Sequence, residues 1–372
     1  MRINPILIVP TYSYLSSPII EKLMDLKGLE RDMVCLDFYQ PRADFGLVPD
    51  TEKFKHRENI FPDHDSPSVL EIRGLRKKLL SFLSTLNPEL IITFSDITFF
   101  ARCIKGTRFE NRLIVMQPCL LSMQSPTWTR KVFYTISSIV NRFIGCPILR
   151  ENHSWGEVLD RATYLVWGKV ERNSRKIVGT IYECGNYFFE SVKPVEILER
   201  QNSVLVIVPD LLFYTKEKIE TLTSSYSRIL ESFLDINFYF KYHPRNNLRL
   251  SLSDKENYRE IPIFSIADAD KYEIILASFS NLSVMLRCVH QKVIVFDIGW
   301  YVDLKNEYFS RAYFKIPANT NELFEQFCDL RKLNMSNVEP NAYLNTFFPI
   351  STDFLQFMDK YFMYPITRIE EQ

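Results

Sequence analysis

The sequence predicts an α/β protein made of two Rossmann-like domains facing a central cleft, and three observations predict it. Short apolar runs alternate with longer segments of helical periodicity, the pattern of repeated βα units around parallel sheets. The alternation occurs twice, before and after Lys193-Pro194-Val195. The 372 residues are enough for two domains, each with its own core.

In the first series, Pro5–Val9, Met33–Phe38, Leu90–Phe94, Leu113–Met116 and Tyr164–Trp167 are compact apolar runs suited to strands buried on both faces. Helices fit between them at about 17–27, 66–86 and 126–144, while the charge-rich stretch 41–65 reads as a loop or lid. In the second series, strands are expected at Val204–Val208, Asn237–Tyr242, Glu273–Ala277 and Lys292–Phe296. Its helices are expected at about 215–234, 281–290 and 320–332. Phe354, Phe357, Met358, Tyr361 and Phe362 then recur at helical spacing, an apolar stripe for a last helix. The expected domains are 1–192 and 193–350, with 351–372 crossing back as a helix packed at the domain junction.

Composition excludes several classes. Apolar residues make up 46% and charged ones 24%, which rules out a disordered chain. Lys plus Arg and Asp plus Glu both number 45, so no global positive field gathers nucleic acid. The seven cysteines are scattered without a CxxC spacing and read as reduced cytosolic core residues. No stretch has the roughly 18 apolar residues of a membrane span, and the first apolar run is too short for a signal segment. A cytoplasmic location is expected.

In open α/β sheets ligands bind beyond the carboxyl ends of the strands, so the loops that follow strands are the places to search. Lys241-Tyr242-His243-Pro244-Arg245 follows one strand directly. Pro244 stops the ladder and fixes the turn, which holds His243 at the strand edge, where an imidazole can donate to a phosphate. Arg245 offers a forked second contact. The competing reading is a strand-ending turn in which His243 merely caps backbone groups.

Ala277-Ser278-Phe279-Ser280-Asn281-Leu282-Ser283 follows the next strand and opens an apolar helix. Hydroxyl residues there cap the helix and leave amides directed at an anion, a phosphate cradle without glycine. Simple capping by Ser280 or Asn281 is the alternative.

With these two motifs in one sheet, the chain resembles bacterial glycosyltransferases of the two-Rossmann (GT-B) architecture. The likeness is to the sialyltransferase, polysialyltransferase and capsule-type transferases, whose second domains carry an HP motif and a downstream Ser/Thr motif. The resemblance implies that His243, Pro244 and Arg245, with Ser278, Ser280, Asn281 and Ser283, hold the donor nucleotide, commonly CMP. Tyr164-Leu165-Val166-Trp167-Gly168 and Gly185-Asn186-Tyr187-Phe188 are similar to a "WG … GNP.F" passage of such transferases, which adds Gly185 to the implied donor site; Tyr187 stands where proline is usual.

The acidic triplet that supplies the base in several sialyltransferase families does not occur before residue 192, so the base is sought elsewhere. Asp96 follows the run Leu90–Phe94 and is the first candidate for deprotonating an acceptor hydroxyl, with an Asx cap for the helix near Thr98 as the alternative. Asp63-His64-Asp65 is its competitor. Asp268-Ala269-Asp270 spells a metal-binding DxD but precedes a strand, the wrong edge of the sheet, and reads as a loop. No His/Asp/Glu spacing argues for a metal, and neither GxGxxG nor GxxxxGK[ST] occurs. Finally, Trp128, Val132, Ile136, Ile139, Val140 and Phe143 recur at helical spacing beside Arg130, Lys131 and Arg142, a stripe for the core or for the face of an anionic inner membrane.

The expectation is a metal-independent glycosyltransferase without a further cofactor, its catalytic residues Asp96 and His243. It would transfer a sugar from a nucleotide-sugar donor, CMP-linked acidic sugars such as sialic acid or Kdo included, to a capsule or lipopolysaccharide acceptor. The first domain would bind the glycan or lipid-linked acceptor, the second the donor, with peripheral inner-membrane contact and no nucleic acid. Three rivals stand beside it: transfer of a polyol phosphate from a CDP-polyol, a nucleotide-sugar 2-epimerase of the same fold, and a non-catalytic scaffold in glycan assembly.

Overall fold

The computed structural model describes residues 5–10, 33–38, 54, 56–62, 68–117, 128–144, 155–168, 177–184, 202–211, 214–243, 246–264, 266–296, 309, 314–332, 343 and 347. The chain forms two compact units, with the described residues up to Cys184 in the first and those from Asn202 to Phe347 in the second. Both are α/β units built on a parallel sheet.

The first sheet has seven strands: β1 (Ile6–Val9), β2 (Met33–Phe38), β3 (His56–Ile60), β4 (Leu90–Thr93), β5 (Leu113–Met116), β6 (Thr163–Val166) and β7 (Thr180–Glu183). Their order is β3-β2-β1-β4-β5-β6-β7, and every neighbouring pair is parallel. β1, β4 and β5 are buried along their whole length, which is why they are apolar throughout except for Thr93, whose hydroxyl donates to Val9 O at 3.3 Å. Helix α1 (Val69–Leu86) starts at a capping box between Ser68 and Glu71 and ends at Asn87 in the left-handed region. It buries Ile72, Leu75, Leu79 and Leu83, one stripe at helical period. Helix α2 (Phe99–Ile104) is capped by Thr98, and Phe99 stacks on Phe38 with ring centroids 5.6 Å apart. Helix α3 spans Trp128–Ile144.

The stretch 41–65 is not a loop throughout, because β3 occupies its last part and pairs in register with β2 from Val34↔His56 to Phe38↔Ile60. It is an edge strand whose residues His-Arg-Glu-Asn-Ile are almost all exposed. A strand that pairs on one side only needs no apolar run, and charge on it discourages further pairing.

The second sheet has five strands: β8 (Ser203–Val208), β9 (Asn237–Tyr242), β10 (Tyr258–Glu260), β11 (Ile274–Ala277) and β12 (Val293–Val295), in the order β10-β9-β8-β11-β12, all parallel. Its helices are α4 (Lys216–Ser232), α5 (Asn281–Val289) and α6 (Thr320–Lys332). α4 and α6 pack together over β8 and β9: Tyr226, Ile229 and Leu230 join Leu323, Phe327 and Leu330 in one core. Ser225 and Thr320 hydroxyls bond at 2.8 Å beside it. Cys35, Cys103, Cys184 and Cys288 are buried free thiols. The apolar stripe of 351–372 lies outside the described residues.

A buried histidine gives this second core a pH dependence. His290 Nδ1 accepts the Lys292 N–H at 3.1 Å, which assigns the ring proton to Nε2 and its bond to Tyr272 O at 2.9 Å. Burial, and then the charges of Arg287 and Lys292 against the bond to Tyr272, push its pKa down to about 4. Because the folded pKa is depressed, this contribution to stability is complete above the unfolded value near 6.5 and is lost as pH falls toward 4. Urea unfolding is expected to show a loss on the order of 3 kcal/mol between those limits, removed in His290→Gln. An identical pH profile in that variant would show that His290 does not titrate in this way.

Candidate active site

In each sheet the strand order reverses beside its first strand, between β1 and β4 and between β8 and β11. These are the positions where an open parallel sheet leaves a crevice at its carboxyl edge. In the second unit, β9, β8 and β11 are adjacent and parallel, so the residues after all three emerge at one edge.

His243 follows β9 at that edge, its side chain 29% exposed. Its Nδ1 faces Asp210 Oδ2 at 3.7 Å, and Asp210 follows β8 after Pro209. Buried Asn246 stitches the two loops together: its Oδ1 accepts the Leu211 N–H at 2.8 Å and its Nδ2 donates to Pro209 O at 2.7 Å. The Asn246 N–H closes the turn on His243 O at 2.9 Å. Asn246 therefore makes three of the hydrogen bonds that hold the loops around Asp210 and His243. The end of β9 is fixed from its other side, where the Tyr242 hydroxyl accepts the Leu250 N–H and the Arg249 guanidinium lies 4.5 Å over the Tyr242 ring.

Asp210 and Asn246 were not singled out from the sequence. A signal existed: Val208-Pro209-Asp210 repeats the strand-then-proline pattern of Tyr242-His243-Pro244. It shows only that a ladder stops there, and the strand order is what sets Asp210 beside His243.

The serine motif is built as a cap. Ser280 is the N-cap of α5, and its Oγ accepts the Ser283 N–H at 3.2 Å and bonds Ser283 Oγ at 2.8 Å. Ser283 Oγ donates onward to Ser278 O. Ser278 and Ser283 are buried and Ser280 is partly exposed, so the hydroxyls hold the strand-to-helix turn together. The first-turn amides of α5, at Asn281 and Leu282, have no partner inside the helix and carry the positive end of its dipole. The groups this turn leaves available to an anion are thus main-chain N–H groups rather than serine hydroxyls. Ser280→Ala is expected to lower stability by about 1 kcal/mol in urea unfolding and to weaken nucleotide binding only slightly. A large loss of nucleotide affinity at unchanged stability would return the hydroxyl to the binding role.

Asp96, at the carboxyl end of β4, is fully buried. Its Oδ2 accepts three donors: Gly156 N–H at 3.0 Å, Val158 N–H at 3.1 Å and the Tyr164 hydroxyl at 2.8 Å. Burial raises its pKa above the carboxylate value, and the bonds from Tyr164, Val158 and Gly156 oppose that rise. Gly156 has φ 95° and a Cβ there would lie 2.8 Å from Ile177 Cγ1, so the backbone that wraps this carboxylate requires glycine. Both sequence readings of Asp96 need correction. It does not cap α2, which Thr98 does, and it does not stand open at the sheet edge for an acceptor hydroxyl, because it is enclosed as the anchor of the Trp155–Leu159 turn.

Asp268 and Asp270 lie in a 3-10 turn, Ile266–Lys271, ahead of β11, and Asp268 is paired with Lys271 Nζ at 2.5 Å. That is the amino edge of the sheet, as the spelling-only reading of the DxD requires. Among the described residues no group of three or more His, Cys, Asp or Glu is placed to hold a metal ion. Pro244, Arg245, Gly185, Asp63, His64 and Asp65 lie outside the described residues, and of Asn281 only the backbone is described.

No protein-family model matches the chain, and no curated protein does. Solved structures match along its whole length. The glycotransferase of kitacinnamycin is 10% identical with a TM-score of 0.58, covering 97% of this chain and 98% of its own. A glycosyltransferase of Rickettsia africae is 12% identical at 0.55, covering 99% and 100%. The UDP-GlcNAc 2-epimerase of Neisseria meningitidis bound to UDP-GlcNAc is 12% identical at 0.53, covering 97% and 100%. At such identities the likeness is one of fold, and the chain has the paired-Rossmann architecture shared by GT-B glycosyltransferases and UDP-GlcNAc 2-epimerases.

Proposed function

We propose that this chain is an enzyme acting on a nucleotide-activated sugar and that it transfers the sugar to a glycan acceptor. The observation that carries the reading is the convergence at one sheet edge of Asp210 after β8, His243 after β9 and the Ser280-capped start of α5 after β11. The α5 amides suit a diphosphate or monophosphate oxygen. His243, its Nδ1 side turned to Asp210, donates from the other ring nitrogen and offsets charge on the departing nucleotide. The donor is substrate, and neither a metal nor a further cofactor has a role in this scheme. The second unit is the donor domain and the first the acceptor domain.

The sequence resemblance favours CMP-linked acidic sugars destined for a capsule or lipopolysaccharide, whereas the Neisseria structure holds UDP-GlcNAc. Thermal shift with CMP, CDP, UDP and GDP separates these. A ligand at 100 times its Kd is expected to stabilise the fold by about 2.7 kcal/mol. If none of the four shifts the transition, the nucleotide reading fails; a response to CDP alone points to a polyol-phosphate donor.

The epimerase is the second reading, favoured by the full-length match to the Neisseria enzyme. Incubation with the donor alone decides between them: an epimerised sugar formed without acceptor identifies the epimerase, and a donor consumed only with acceptor identifies the transferase. A nucleotide that binds while no donor is ever consumed leaves the scaffold.

A further inference from the structure

Helix α3 is inverted for a helix of a water-soluble unit. Val132, Ile136, Ile139 and Phe143 are 40%, 55%, 63% and 95% exposed, and Phe133 is exposed beside them. The helix residues that are fully buried are polar, Ser137 and Asn141, while Val140 is half-buried and Ile144, at the end of the helix, packs against the core of the unit. At 3.6 residues per turn, positions 132, 136, 139 and 143 fall on one face and 137 and 141 on the opposite one. A core helix has the reverse arrangement, so Val132, Ile136, Ile139 and Phe143 of the apolar stripe noted in the sequence belong to the outside.

We propose that this face of α3 lies in the interfacial layer of an anionic lipid bilayer. Charge selects this occupant. The helix carries Arg130, Lys131 and Arg142 and no acidic residue, in a chain whose total charge balances to zero, and Arg142 is exposed at the end of the stripe. A second copy of the chain docking through the same face about a two-fold axis sets two such cationic helices against each other, which is unfavourable. Acidic headgroups complement them, and the apolar stripe enters the acyl boundary. The geometry is that of lying on a membrane: among the described residues no helix is long and apolar enough to cross one. The proposal concerns the first unit and stands whether or not the nucleotide reading of the second is correct.

The test is cosedimentation of the full chain with phosphatidylcholine vesicles, with and without roughly one-third phosphatidylglycerol. Binding is expected only to the anionic vesicles and is expected to fall as salt rises. Arg142→Gln is expected to weaken it about fivefold, and the paired Ile136→Ser and Ile139→Ser exchange to reduce it by at least about tenfold. Melting temperature stays near wild type in these variants, because all three side chains are already exposed. No binding to anionic vesicles overturns the proposal. So does equal binding to both vesicle types, or binding that both variants retain. A monomer–dimer equilibrium in sedimentation velocity that the serine pair abolishes assigns the face to a second copy and also overturns it.

Discussion

His243→Ala is expected to lower kcat/KM by about 10- to 10³-fold while the fold keeps its melting temperature. The side chain follows β9 and is partly exposed, and the turn it opens is closed by its main-chain oxygen, which alanine retains. On the proposed reading the loss is that of a donor directed at the leaving nucleotide, a transition-state contact worth about 1.5–4 kcal/mol. Asn246→Ala is the informative companion. It keeps His243 but releases Pro209 and Leu211, and with them the position of Asp210. As a positioning residue it is expected to reduce kcat more than it raises the nucleotide KM, with Asn246→Asp, which keeps the acceptor for Leu211, recovering part of the rate. Wild-type kinetics in His243→Ala would remove the imidazole from the chemistry, and with it the main support for a donor site at this edge.

The parts of this molecule that could be read from sequence are those whose physics is local. Ile6–Val9, Leu90–Thr93 and Leu113–Met116 are buried on both faces, a condition that a near-continuous apolar run satisfies, with the one polar side chain, Thr93, bonded to Val9 O. His56–Ile60, Thr180–Glu183 and Tyr258–Glu260 left no such mark because each, among the described residues, is an edge strand with a single neighbour and exposed or half-buried side chains. The same division holds at the site. Pro244 announces the end of a strand, so His243 was placed at a sheet edge from the sequence. That Asp210, 33 residues earlier by the numbering, faces it depends on β8 lying between β9 and β11, which is a property of the whole sheet. The serine motif was legible as a helix start, but whether its hydroxyls point to a ligand or to one another is set by the backbone of one turn. For α3 the periodicity was legible and the side that faces water was not, because a stripe has the same spacing whichever way the helix is rolled.

Asp96→Ala is expected to be the most destabilising single change in the first unit outside its aliphatic core, by about 3–5 kcal/mol. Alanine leaves the Gly156 and Val158 amides and the Tyr164 hydroxyl without their shared acceptor, in a place that is closed to water. Each buried group so orphaned costs about 1–3 kcal/mol, offset in part because a desolvated carboxylate is also removed. Against a total stability of about 5–15 kcal/mol, the unit is left marginal. Asp96→Asn separates structure from chemistry: its carbonyl oxygen still accepts those donors, so the loss is expected to fall to about 1–2 kcal/mol, with kcat within roughly tenfold of wild type. A general base behaves otherwise, since the amide cannot take a proton and kcat drops by about 10²–10⁴-fold however well the variant folds. Urea unfolding and steady-state kinetics on the two variants therefore give opposite patterns. A folded Asp96→Asn enzyme that has lost its rate would show that this enclosed carboxylate opens to substrate during turnover, and the anchoring role assigned to it would have to be abandoned.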